Sequence, residues 1–183
     1  LVVVAHRDAA GPGAAAELSG TAAMIELARI VAGGRLRRTV TFVSTSGGSG
    51  GAAGARDLVH RLSANPIAAV VVLGHLGSRP PRKPIVTAWS DGSQIGPLRL
   101  QRTIADAVRQ EAATSAGGPG IVTQWTRLAF PGTVGEQGPL VGAGLLAALL
   151  SSSGERPPRA DAPVDENRLE AYGRAALRSL VAL

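Results

Sequence analysis

Short runs rich in β-branched residues alternate along the chain with longer segments whose apolar positions recur every three to four residues. "LVVVA" (1–5), "TVTFVS" (39–44), "IAAVVVLG" (67–74) and "GIVTQW" (120–125) have the first pattern and are predicted to be strands. "LLAALLS" (145–151) is predicted to be a fifth. Most of these runs are apolar almost throughout, which suits strands covered on both faces. The helical period marks 19–34, where Ala23, Leu27 and Ile30 share a stripe, Ser19 is placed to cap and Gly33-Gly34 end the element. It also marks 54–64, stopped by Asn65-Pro66, and 98–113, striped by Leu100, Ile104 and Val108. In the last helix, capped by Asp165, Leu169, Tyr172, Ala176 and Leu180 form a docking face. Such alternation predicts an α/β protein: a three-layer α/β/α sandwich on a mostly parallel or mixed central sheet. The Pro-rich pieces 79–84 and 156–163 are read as surface loops.

Composition narrows the picture modestly. The 183 residues suit one domain, and a chain that opens on an apolar strand reads as a piece of a longer protein. Aromatics make up only 3% against 45% hydrophobic residues, so the core is built of Ala, Val, Leu and Ile. Lys and Arg outnumber Asp and Glu by 19 to 13, but the basic residues are scattered and no aromatics interleave them. That argues for solvated surface and against a nucleic-acid partner. The absence of cysteine excludes disulfides and thiolate metal sites. The longest apolar run, 140–150, is too short to span a bilayer, so any membrane anchor is expected outside this segment.

The candidate chemistry centres on "TSGGSGGAAGA" (45–55), a glycine-rich loop between a predicted strand and a predicted helix. Gly48-x-Gly50-x-x-Ala53 fits a dinucleotide-binding fingerprint, but the next strand ends in Leu73-Gly74-His75, without the acid that would take the ribose. Gly47-x-Ser49-x-Gly51 fits a nucleophile elbow, but the later histidines are only His60 and His75, and the required acid-then-histidine order is missing. Loop amides at 46–51 would also suit a small anionic ligand.

A third reading joins the loop to its neighbours. "VVVAHRDAAGPGAAAELSGTAAMIELARIV" resembles the strand, His-x-Asp and Gly-Ala-x-Asp-Asn-x-Ser-Gly helix start of the co-catalytic di-zinc aminopeptidases. "RRTVTFVSTSGGSGGAAGARDLV" resembles that family's strand followed by Glu-Glu-x-Gly-x-x-Gly-Ser. "AAVVVLGHLG" is similar to its strand ending in an aspartate ligand, and "GEQGPLVGAGLLAALLSSSGE" to its Ser-Asp-His-x-Pro-Phe segment and last strand. The pieces occur in the family's order and leave only 79–119 ill matched. The resemblance implies a zinc-exopeptidase-like (phosphorylase/hydrolase-like) fold.

The resemblance also implies where the chemistry should be, and most of it is missing. A two-zinc site needs about five nitrogen and oxygen ligands and a carboxylate base. His6 stands at the first histidine ligand and Asp8 at the acid two residues on. The bridging aspartate falls on Ala16, beside Glu17; the base falls on Gly48 and the next ligand on Ser49; the following aspartate falls on Gly74, beside His75. No histidine lies near Arg156-Pro157-Pro158, and Glu136-Gln137 replaces an Asp-His pair. His6 alone matches a metal ligand of the family, and its plainer reading is a hydrogen-bonded histidine at a strand end. His60 reads as surface. The expectation is a domain with no catalytic residues and no bound zinc. Its ligand crevice would be formed by His6, Asp8, Glu17, Ser49, His75 and Glu136. Transferrin-receptor ectodomains and nicastrin-like proteins, non-catalytic relatives, imply a binding or assembly role for an unknown protein or small ligand, in an extracytoplasmic, membrane-anchored setting. The alternative is a divergent metallo-aminopeptidase with a rearranged site.

Overall fold

The computed structural model describes residues 1–9, 11, 14–34, 36–48, 51–62, 66–79, 81–118 and 120–183. Five strands form one mixed sheet: β1 (Val2–His6), β2 (Thr41–Thr45), β3 (Val70–Leu73), β4 (Val86–Thr87) and β5 (Ala147–Leu150), in the order β2-β1-β3-β5-β4. β1 pairs parallel with β2 (Val4 opposite Val43) and with β3 (Val4 opposite Val72). β3 pairs parallel with β5, and only β4 runs antiparallel, with Val86 opposite Leu150. The three inner strands are buried at every residue, as their continuous apolar runs require, whereas the edge strand β2 is half exposed.

Alternation along the inner strands separates two cores. Val3, Ala5, Val71, Leu73, Ala148 and Leu150 face α1 (Ser19–Gly33), α3 (Leu98–Ala112) and α6 (Glu166–Ala182). Val2, Val4, Val70, Val72, Ala147 and Leu149 face α2 (Ala53–Leu62) and the short α5 (Gln137–Gly142). This is the expected three-layer sandwich. The stripes of α3 and α6 are buried as read from the sequence, with Leu169 partly buried against the same core. Asp165 caps α6 by accepting the Arg168 N–H at 3.1 Å.

Four expectations need correction. Ile30, read onto the α1 stripe with Ala23 and Leu27, is 46% exposed, because the last turns of α1 run past the edge of the core while Ala23, Met24 and Leu27 pack into it. Residues 120–125 are not a strand but the start of α4 (Ile121–Ala129). β-Branched content suggested a strand, but Ile121, Val122 and Trp125 are 73–79% exposed, so no buried sheet position selects the extended form. Ser19 is the first residue of α1 and does not cap it: its hydroxyl donates to Ala16 O (2.6 Å) and accepts from Gly77 N (3.0 Å). The third strand is shorter than 67–74, starting only at Val70. β4 and α5 had no clear sequence signal. The stop at Asn65 lies outside the described residues.

Gly20 lets α1 start close against the sheet. A Cβ there would lie 2.2 Å from Gly74 O and 2.6 Å from Leu73 O. That approach sets the α1 entry turn, and Glu17 with it, over the carboxyl end of β3.

Candidate functional site

Parallel strands present their carboxyl ends on one side, and the candidate residues gather there. His6 ends β1, Thr45 ends β2, His75 follows β3 and Ser151 follows β5. Glu17 comes from the turn before α1, and Glu136 from the residue before α5. All of these except Thr45, which instead holds Glu136, line a crevice of about 140 Å³ together with Gly48, Gly74, Glu155 and Pro157. It is smaller than the roughly 300–1,000 Å³ usual for small-molecule sites. His6, Glu17, His75 and Glu136 are 7%, 2%, 8% and 4% exposed.

The two histidines stand edge to face, with ring centres 5.4 Å apart. His6 Nδ1 lies 3.7 Å from Glu136 Oε2, an oxygen that has no hydrogen-bond partner among the described residues. The other Glu136 oxygen accepts the Thr45 hydroxyl. Burial pulls the His6 imidazole down, but the neighbouring Glu136 carboxylate, with Asp8 and Glu17 adding, outweighs it and the pKa is raised. His75 behaves oppositely: burial, then the charge of His6, pushes its pKa down to about 3. Its Nδ1 is 2.9 Å from Ser153 Oγ, and that hydroxyl donates to Arg156 O at 2.8 Å. The Ser153 oxygen therefore accepts, which puts the His75 proton on Nδ1 and leaves the lone pair on Nε2. Ser151 Oγ accepts from the His75 backbone N–H at 3.3 Å.

Two of the positions that the resemblance reserves for acids, Gly48 and Gly74, are physically filled. At Gly48 a Cβ would sit 2.7 Å from both Cβ and Cγ of His6. At Gly74 it would sit 2.9 Å from Ser151 Cβ. Asp8 lies at the rim, where its Oδ1 accepts the Gly48 N–H at 3.1 Å. An anion seated on that loop would meet this carboxylate. Gly47 and Gly51, at φ of 76° and 83°, make the turn that the glycine pattern suggested. Ser49 lies outside the described residues, and His60 is exposed on α2.

The sequence reading missed the serines that support the crevice. Ser151, Ser152 and Ser153 are buried, and Ser152 Oγ donates to His75 O at 2.6 Å. A polar triplet directly after a wholly apolar strand was the available signal. It also missed Glu155, whose carboxylate accepts from Trp89, Arg127, Thr133 and Gln137. Arg127 also stacks on Trp89, 3.5 Å from the ring centre, and so ties α4 to the rim.

A sequence model of Peptidase family M28 matches residues 1–120. This chain belongs to that family. Over 70 residues the M28 chain is 40% identical to transferrin receptor protein 1 of Gallus gallus, an alignment covering 35% of this chain and 9% of the receptor. Its fold is similar to that of the LapA aminopeptidase of Legionella pneumophila, with a TM-score of 0.72 and 15% identity over all of this chain and 51% of that one. The zinc aminopeptidase BSAP of Bacillus subtilis gives a TM-score of 0.64 and 17% identity over 97% and 45% of the two chains. The chain thus spans about half of these aminopeptidases and under a tenth of the receptor. Its M28 scaffold is of the zinc-exopeptidase type, and the chain is a degenerate member, with Ala16, Gly48 and Gly74 where the resemblance places acids.

Proposed function

We propose that this M28 chain is a non-catalytic domain that serves binding or assembly within a longer, extracytoplasmic, membrane-anchored protein. The observation that carries the reading is the contact between Gly48 and His6. The base position not only lacks a carboxylate; it has no room for a side chain. General acid–base catalysis contributes about 10²- to 10⁴-fold, and no other carboxylate takes that place in the chain order. Glu136 is held by Thr45 and lies beside His6, and Glu155 is saturated by its four donors. The small crevice and the identity to a transferrin receptor support the same reading.

The test is turnover of a panel of aminoacyl p-nitroanilides, with and without added zinc. No turnover above buffer is expected. Hydrolysis that His6→Ala abolishes would overturn the reading in favour of a divergent hydrolase. The location is tested separately. Lys83 is the chain's single lysine and is exposed, so a membrane-impermeant amine reagent on intact cells is expected to label it in the full-length protein. Labelling only after lysis would place the domain inside.

A further inference from the structure

We propose that His6, Glu17 and His75 hold one divalent first-row cation, zinc by ligand chemistry, in a site rebuilt from residues beside the vacated family positions. One ligand atom from each of the three side chains lies within 4.8 Å of the other two, and all three residues are buried. Bonds of about 2.0–2.2 Å from a shared tetrahedral zinc would need these atoms roughly 3.4 Å apart, so side-chain rotation of about an ångström closes the set. Two imidazoles and a carboxylate favour zinc over magnesium or calcium, which prefer all-oxygen sites.

Supporting contacts independently point to a cation. Ser153 fixes His75 with its lone pair on Nε2, and Glu136 faces His6 Nδ1, which leaves Nε2 as the ring nitrogen turned away from that carboxylate. Metal-binding histidines are commonly held in this way through their second nitrogen. Glu136 Oε2 is also buried with no hydrogen-bond partner among the described residues, 3.7 Å from His6 Nδ1. A cation on the far nitrogen of that ring would add positive charge beside this buried carboxylate. The set is not the two-metal set implied by the resemblance: Glu17 and His75 are neighbours of Ala16 and Gly74, and only His6 is shared. The expectation of no metal counted inherited positions and could not see this convergence.

The experiment is calorimetric titration of chelator-stripped, untagged protein with zinc at neutral pH, with magnesium as the control. One zinc per chain is expected, together with a raised melting temperature and no magnesium binding. His75→Gln is expected to weaken zinc at least ~100-fold, and Ser153→Ala about 10- to 100-fold, while His60→Ala leaves it unchanged. Melting curves in chelator show which variants fold. Cobalt absorption of the wild type gives a reading that needs no variant, with strong visible bands expected from a four-coordinate site. Absence of saturable zinc binding, two zinc ions per chain, or undiminished affinity in a folded His75→Gln protein would overturn the proposal. Turnover is not measured, so the result stands apart from the peptidase assay.

Discussion

At the residue scale, His6 and His75 illustrate how position outweighs residue type. They stand in one crevice, yet the carboxylates around His6 raise its pKa, while burial and then the charge of His6 depress that of His75 to about 3. The stability consequences have opposite signs. His75 binds a proton more readily unfolded than folded, so stability is lost as pH falls below about 6.5 and the loss continues to about 3, by at most ~5 kcal/mol. His6 contributes most below about 6.5 and loses its contribution as pH rises through its raised folded value. In chelator-treated protein, urea midpoints measured from pH 7 to 4 should fall steeply, and His75→Gln should flatten that slope. An unchanged slope would mean that His75 is already protonated in the folded protein. His6 and the lost acids were legible in the sequence because a motif orders them. The partnership of His75 with Ser153 was not, because 78 positions separate them and only the β3–β5 pairing brings them together.

At the element scale, the strongly periodic helices and the buried parallel strands were readable because a single face or a continuous apolar run determines them. α4 was misread because its apolar residues point to solvent, where β-propensity has no packing to act on. Close backbone approaches were invisible for a similar reason, since a glycine in sequence does not say what it faces. Gly20→Ala is expected to cost roughly 3 kcal/mol, because the new methyl group meets the carbonyls of Leu73 and Gly74 and not a flexible side chain. Gly173→Ala, in α6 with nothing within 4 Å, should instead stabilise by about 0.5–1 kcal/mol. Denaturant midpoints of the two variants separate a packing effect from helix propensity. Similar losses in both would refute the close-approach account.

At the scale of the whole molecule, the two cores share strands. Val2, Val4, Val70 and Val72 serve one face while Val3, Ala5, Val71 and Leu73 serve the other, so neither core can be lost while the other keeps its sheet. Unfolding is therefore expected to be one cooperative transition. Trp125 is exposed and Trp89 is stacked beneath Arg127. In a Trp125→Phe variant the remaining fluorescence reports the crevice rim alone, and its urea transition should coincide with that of far-ultraviolet dichroism. A rim that melted first would show that α4 and the Glu155 cluster form a separate unit. No helix among the described residues is long and apolar enough to cross a membrane.

The contact between Gly48 and His6 also bears on descent. A glycine codon lies one nucleotide from glutamate where its third base is a purine, so the missing base looks easy to regain. Yet the first atom of any new side chain meets His6 at 2.7 Å. A glutamate placed there would push against His6, where the resemblance sets a metal ligand, unless the β1 end moved first. On the non-catalytic reading proposed above, one substitution to glutamate would therefore not by itself put a base back at this position.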